Sequence, residues 1–211
     1  MKKSNHTRSR RVKSIVDCAF VDAADDTSLI MPEAKNFVPV WFLFGLSGSG
    51  KSYVGDVIAE ARGWPVYHAD DDITPAMRKA LAGSQPFTDA MRDEYFMLLS
   101  DRIRARQAQA APGQSLIVTQ GAYKQRSRDY LQQQVPGLVL IWVDAPDGLI
   151  TQRLDLRAGG ITSQSAAALK QDFERPPRDS LKIVNDRAEE HALAQFERCR
   201  EQWLTHQAQV I

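Results

Sequence analysis

The sequence predicts an α/β fold in which a parallel β-sheet is covered by helices on both faces, giving three layers. Five short apolar segments alternate along the chain with helical or loop segments. Because neighbouring parallel strands need a crossover connection, this alternation predicts right-handed βαβ units with ligands at the carboxyl ends of the strands. A glycine-rich loop between the first strand and the first helix indicates the same architecture.

The first strand and the first helix enclose this loop. Residues 38–44 form a continuous apolar run, typical of a strand buried on both faces, and we expect it to be the central strand. Apolar residues then recur at helical spacing from Val54 to Ala61, and Gly63 provides a stop signal. A helix is therefore predicted to begin at the loop.

The middle of the chain continues with a second predicted strand at 65–69 and two predicted helices within 74–109. Thr88 is placed to cap the later helix. The apolar face of that helix is predicted to comprise Tyr95, Leu98, Leu99 and Ile103.

Three more strands are predicted at 115–119, 138–143 and 181–184. They are followed by a terminal helix with one apolar side, made of Ala192, Phe196, Cys199 and Trp203. Cys199 is therefore predicted to be a core residue.

The chain divides into an N-terminal extension over 1–37 and one domain over 38–211. The extension begins with a run of basic residues that contains no acid and little apolar content, which predicts a solvated, partly flexible tail. A nucleic-acid-binding arm is the alternative, but aromatic residues for base stacking do not interleave with these charges.

Composition excludes several classes of function. The 27 basic and 26 acidic residues nearly cancel, so no global field draws the protein to nucleic acid or to an anionic membrane. Cys18 and Cys199 stand alone, which favours a reducing, cytoplasmic setting. The apolar runs are much shorter than the roughly 20 residues that span a bilayer. We expect a small-molecule substrate, and the oligomeric state stays open, with a homodimer among the allowed states.

Residues 45–52, GLSGSGKS, satisfy the phosphate-loop pattern G-x-x-x-x-G-K-[ST]. Glycines let successive backbone N–H groups turn inward around a phosphate, beside the positive end of a helix. Lys51 is expected to reach the β- and γ-phosphates of ATP, and Ser52 to give a hydroxyl ligand to Mg²⁺. The candidate ATP-binding residues are Gly45, Ser47, Gly48, Ser49, Gly50, Lys51 and Ser52.

Several short segments, taken with this loop, resemble the bacterial gluconate kinases over roughly residues 38–186. They are Ala69-Asp70, residues 83–89 with Arg92, Ala122-Tyr123-Lys124 with Arg128-Asp129, and Arg153-Leu154 with Arg157-Ala158-Gly159. The resemblance implies a three-layer P-loop NTPase fold with a five-stranded parallel sheet. It also implies a helical substrate-binding insert at about 74–109, a lid at about 158–176, and ATP-dependent phosphorylation of a sugar acid.

Asp70 stands where these kinases keep an acid at the end of the second strand, close to the substrate hydroxyl. A carboxylate there can orient that hydroxyl and accept its proton as the new bond forms. Asp71 and Asp72 leave an alternative open, because three adjacent acids also suit a solvated turn before a helix.

Five cations complete the set that the resemblance implies. Arg92, Lys124 and Arg128 are expected to hold the anionic end of a substrate, since guanidinium groups suit carboxylates. Arg153 and Arg157 are expected to neutralise the transferring phosphate from the start of the lid. For each of them, a solvated charge on a helix surface is the alternative.

The sequence also departs from the family pattern. The family's His-Pro pair after the Asp70 position is replaced by Ile73-Thr74-Pro75, which leaves the identity of the acceptor open. His68 is interpreted as a histidine packed at a strand end. Asp144 follows an apolar strand but is interpreted as a helix cap before Pro146, outside the metal site.

The sequence therefore predicts an ATP-dependent small-molecule kinase that phosphorylates a hydroxyl of a sugar acid or a related anionic metabolite. Kinases for shikimate, a nucleotide or an antibiotic are the alternatives within the same fold. A nucleotide-dependent regulatory protein that hydrolyses ATP slowly is the alternative from a different class.

Overall fold

The structure, a computed structural model, describes residues 37–83, 85–156 and 170–210. The predictions for the N-terminal extension before residue 37, for Arg157 and for residues 158–169 of the lid lie outside these ranges. Five parallel strands form one sheet across the described residues, in the order β2-β3-β1-β4-β5. The strands are β1 (Val40–Phe44), β2 (Val66–His68), β3 (Leu116–Gln120), β4 (Leu138–Asp144) and β5 (Lys182–Val184).

The helices connect these strands as parallel pairing requires. A short 3-10 helix (Ala69–Asp72) follows β2 directly. The α-helices are α1 (Lys51–Arg62), α2 (Pro75–Ala82), α3 (Asp89–Gln107), α4 (Gln125–Gln134), α5 (Asp147–Asp155) and α6 (Glu189–Val210). The predicted insert thus contains α2 and α3, as expected for two helices there, while the boundaries of insert and lid stay predictions.

The central strand β1 separates two hydrophobic layers, which confirms the predicted three-layer fold. All five of its residues are buried, and it pairs with β3 on one side and with β4 on the other. Phe42 and its neighbours on that face pack against α3 and α4, including Leu99 and Leu131. Leu43 and its neighbours on the opposite face pack against α1 and α6, including Ile58 and Phe196.

The helix termini follow the signals in the sequence. Gly63 ends α1 in the left-handed conformation, with φ of 62°. Thr88 caps α3 because its hydroxyl accepts a hydrogen bond from the backbone N–H of Met91 at 3.2 Å. Cys199 is buried in the layer beneath α6, as predicted.

Two expectations were wrong. Leu98 is 40% exposed, because it lies about 100° around α3 from its buried neighbour Leu99. Asp144 does not cap a helix: α5 begins at Asp147, and no side chain among the described residues caps its N-terminus. The Asp144 carboxylate instead pairs with the ammonium of Lys182 on the neighbouring strand at 2.8 Å.

None of the described helices is both long enough and apolar enough to cross a membrane.

Candidate active site

A cleft of about 650 Å³ opens at the carboxyl ends of β1, β2 and β3. The phosphate loop forms one wall, the 3-10 helix and the α2–α3 pair form another, and residues 120–124 form the third. Five of the seven charged residues predicted for the site line this cleft together: Lys51, Asp70, Arg92, Lys124 and Arg153. Five of the predicted loop residues line it as well, namely Ser47, Gly48, Gly50, Lys51 and Ser52.

The phosphate loop is shaped by its glycines. Gly48 and Gly50 have φ of 83° and 88°, a left-handed conformation that side chains disfavour. A Cβ on Gly50 would lie 2.0 Å from the Asn185 amide nitrogen, so the loop also packs too closely for any larger residue. The loop therefore presents backbone directly to the cleft, at the N-terminus of α1.

These residues fit the phosphates of a nucleotide and one Mg²⁺. Backbone N–H groups of the loop would donate to phosphate oxygens, Lys51 brings a positive charge to the loop, and Ser52 exposes its hydroxyl at the start of α1. No group of three or more acidic, histidine or cysteine side chains that could hold a metal occurs among the described residues. The Ser52 hydroxyl is a ligand of the kind that Mg²⁺ uses, since this ion takes one or two protein oxygens and fills its shell with phosphate and water.

Asp70 faces Lys51 across the cleft. The Asp70 carboxylate lies 3.9 Å from the Lys51 ammonium and is about half exposed. Lys51 also donates a hydrogen bond to the carbonyl of Leu46 at 3.5 Å, which keeps its side chain against the loop. An acid and the loop lysine thus face each other within the same cleft.

Asp70, Asp71 and Asp72 differ in the groups that they contact. Asp72 accepts a hydrogen bond from the Tyr67 hydroxyl at 2.8 Å and pairs with Arg102 at 3.6 Å. Burial and the Asp72 carboxylate together raise the pKa of Tyr67 to about 12. Asp71 is exposed at the cleft edge. Asp70 is the one of these three acids that faces the loop lysine.

Arg153 lies beneath the phosphate loop. Its guanidinium donates to the carbonyl oxygens of Gly48 and Ser49 at 3.5 and 3.4 Å, and to that of Asn185 at 3.1 Å. The Asn185 side chain also donates to the Ser49 carbonyl, at 2.9 Å. Sequence reasoning missed Asn185, because a lone asparagine after a strand carries no pattern.

Arg92 and Lys124 form the far end of the cleft. Arg92 projects from α3 and is almost fully buried, while Lys124 precedes α4. Both cations contact the carboxylate of Asp172, Arg92 at 2.5 Å and Lys124 at 3.6 Å. Lys124 also pairs with Glu174 at 3.4 Å. The structure thus brings together two of the three cations predicted for an anionic substrate.

The structure places the third cation, Arg128, outside the cleft lining. Its side chain is fully buried, and its guanidinium donates to the carbonyl oxygens of Ala122, Tyr123 and Glu174 and to the amide oxygen of Gln125. Burial lowers the pKa of Arg128. With these acceptors around it, Arg128 holds the backbone that precedes α4 instead of facing a ligand.

Tyr123 is a cleft residue whose contact with the loop the sequence did not reveal. The Ser47 N–H donates to the Tyr123 hydroxyl oxygen at 2.9 Å, and the Ser47 hydroxyl lies 3.1 Å from the same atom. Burial raises the pKa of Tyr123, so this hydroxyl stays protonated at neutral pH. The preceding residue, Ala122, has φ of 40°, a strained value that the contacts of Arg128 help to maintain.

Residues 40–176 match the profile of a protein family described as AAA domain. Among characterised proteins, the chain is 26% identical to a gluconokinase of Gluconobacter oxydans (strain 621H) over 149 residues, which is 71% of this chain and 82% of that protein. It is 34% identical to a probable gluconokinase of Rattus norvegicus over 94 residues, which is 44% of this chain and about half, 49%, of that protein.

A solved structure with the same fold comes from Sinorhizobium meliloti 1021, where the protein is a gluconokinase. The two structures superpose with a TM-score of 0.65 at 25% sequence identity, covering 81% of this chain and 98% of that one. The fold and the sequence matches therefore agree.

Proposed function

Because this chain belongs to the AAA domain family and is similar to gluconokinases in sequence and fold, we propose that it is an ATP-dependent kinase of gluconokinase type. It transfers the terminal phosphate of ATP to a hydroxyl of a small sugar acid. One observation carries the proposal most directly: the loop lysine and an acid face each other at 3.9 Å in a cleft whose far end holds two cations.

The phosphate loop binds the nucleotide in this proposal. The loop backbone and the N-terminus of α1 hold the β-phosphate, and Lys51 offsets the negative charge of the terminal phosphate. The Ser52 hydroxyl would hold Mg²⁺, which would further neutralise the charge of the phosphate oxygens when bound. Arg153 contributes by fixing the loop carbonyls and by adding a positive charge beneath them.

Asp70 acts on the acceptor. The acceptor oxygen attacks the terminal phosphorus, the bond from that phosphorus to ADP breaks, and the hydroxyl proton passes to the Asp70 carboxylate. The half-exposed position of Asp70 supports this role, since a substrate hydroxyl can reach it from the cleft. Arg92 and Lys124 fix the carboxylate of the acid and so set which hydroxyl points at the phosphate.

A coupled assay of ADP release tests the proposal. Purified protein is given ATP and Mg²⁺ with a panel of sugar acids, neutral polyols, shikimate and nucleoside monophosphates. Stimulation by a sugar acid supports the kinase, and stimulation by shikimate or a nucleotide assigns it to another kinase of the same fold. A flat background with every compound favours a regulatory ATP-binding protein and contradicts the proposal.

The proposal includes two further points. We place the enzyme in the cytoplasm, because two cysteines that lie far apart in the sequence favour a reducing setting. We also take Mg²⁺ as its metal.

A further inference from the structure

One carboxylate of the protein bridges the two cations at the acceptor end of the cleft. The Asp172 oxygens are divided between them: Oδ2 lies 2.5 Å from the Arg92 guanidinium and Oδ1 lies 3.6 Å from the Lys124 ammonium. Both cations line the cleft, whereas Asp172 is not one of its lining residues. The protein itself therefore demonstrates that this pair of cations can hold a carboxylate.

These ion pairs are shielded from solvent. The side chains of Arg92, Lys124 and Asp172 are only 10%, 22% and 35% exposed. Pairs in such partly buried positions are screened less by salt than pairs at an open surface. An acid substrate therefore meets two cations whose charge Asp172 already offsets.

We infer that Asp172 sets the acceptor selectivity of this enzyme, by competing with the carboxylate of a sugar acid for Arg92 and Lys124. The inference rests on the proposed function. The substrate either displaces Asp172 or shares the cations with it. In both cases the negative charge of Asp172 weakens the binding of an acid. A neutral polyol meets no such competition. Asp172 thus narrows the preference for acids over neutral polyols that the two cations alone would produce.

Among the described residues, the other acids near the cations each contact only one of the two. Glu174 contacts Lys124, and its carboxylate is fixed by the backbone N–H of Gln125 at 2.7 Å, which holds the pKa of Glu174 below its usual range. Asp89 contacts Arg92 at 3.4 Å but is about two-thirds exposed. Asp172 is thus the acid that contacts both Arg92 and Lys124. Asp89, which contacts only Arg92 of these two cations, provides a matched control.

The experiment compares D172N with D89N, using gluconate and glucitol as acceptors of equal chain length that differ in charge. Dissociation constants are measured by calorimetry, and turnover by ADP release. In D172N we expect about tenfold tighter binding of gluconate, because the charge-assisted contacts of both cations become free for it. Binding of glucitol stays within about twofold, and D89N changes neither ligand by more than about twofold.

The sign of the change separates this inference from a merely structural role. If Asp172 only orients Arg92, then D172N weakens gluconate binding, and that result overturns the inference, as does unchanged binding. Should the protein bind acids without turnover, the proposed function fails while the binding comparison still decides the role of Asp172. Failure of gluconate to bind either form overturns the inference as well.

A thermal-shift measurement gives a second readout that does not need activity. Removing the Asp172 charge takes away the shorter ion pair of the buried Arg92, leaving its contact with the more exposed Asp89, and lowers the melting temperature. Gluconate then restores part of the loss, so its stabilising shift is larger in D172N than in the unchanged protein. Equal shifts in both forms contradict the inference. D172S repeats the comparison if D172N does not fold.

Discussion

The two ends of the cleft are built differently. The phosphate end comes largely from one continuous stretch, residues 45–52, whereas the acceptor end is assembled from α3, the segment before α4 and the segment around Asp172. Arg92 and Asp172 are 80 residues apart in the sequence. One continuous stretch therefore builds one end of the cleft, and contacts between distant segments build the other.

Substitution at the phosphate end should have the largest effect. In K51A the terminal phosphate loses its ammonium partner, and we expect turnover to fall about a thousandfold or more. The measurement is ADP release at saturating acceptor. K79A removes an exposed lysine from α2 and serves as the control, with turnover within about twofold. Comparable losses in both variants would mean that Lys51 acts through general charge and not through the loop.

Substitution of Asp70, at the junction of the two ends, should have the second-largest effect. D70N keeps the shape of the side chain but cannot accept the proton, so we expect kcat to fall about a hundredfold or more while ATP binding persists. D71N is the control, because Asp71 also lines the cleft but does not contact Lys51 in the described structure. An undiminished rate in D70N, or an equal loss in D71N, would remove Asp70 from the mechanism.

The same contrast explains what the sequence could predict. The alternation of strands and helices, the central position of β1, the loop before α1 and the cap of α3 at Thr88 follow from short patterns, and these predictions were confirmed in the structure. Asp172 and Asn185 could not be found this way, because each gains its role from partners 80 and 136 residues away. Arg128 was grouped with the substrate cations because it follows the third strand, where the resemblance implies the acid end of the substrate, but its burial gives it different partners.

Arg128 tests whether packing supports the acceptor end. In Arg128→Met, the carbonyl and amide oxygens that accept hydrogen bonds from the guanidinium lose their donor inside the protein. We expect the free energy of unfolding to fall by about 3 kcal/mol, measured by urea denaturation. Arg126→Met is the control on the same helix, since Arg126 is about half exposed and its ion pairs with Asp89 and Asp93 should contribute at most about 1 kcal/mol. Equal losses would contradict a structural role for Arg128.

The smallest expected effect lies where the two ends touch. Tyr123 belongs to the acceptor segment, yet its hydroxyl accepts the Ser47 N–H of the phosphate loop. In Tyr123→Phe that N–H loses its partner while the ring packing against Phe173 remains, so only the link between the two ends is removed. One neutral hydrogen bond contributes about 1 kcal/mol, and we therefore expect kcat/KM for ATP to change by roughly fivefold. Tyr130→Phe, on α4 and outside the cleft lining, should leave kcat/KM for ATP unchanged. If the two variants have the same kcat/KM, the ends of the cleft work independently.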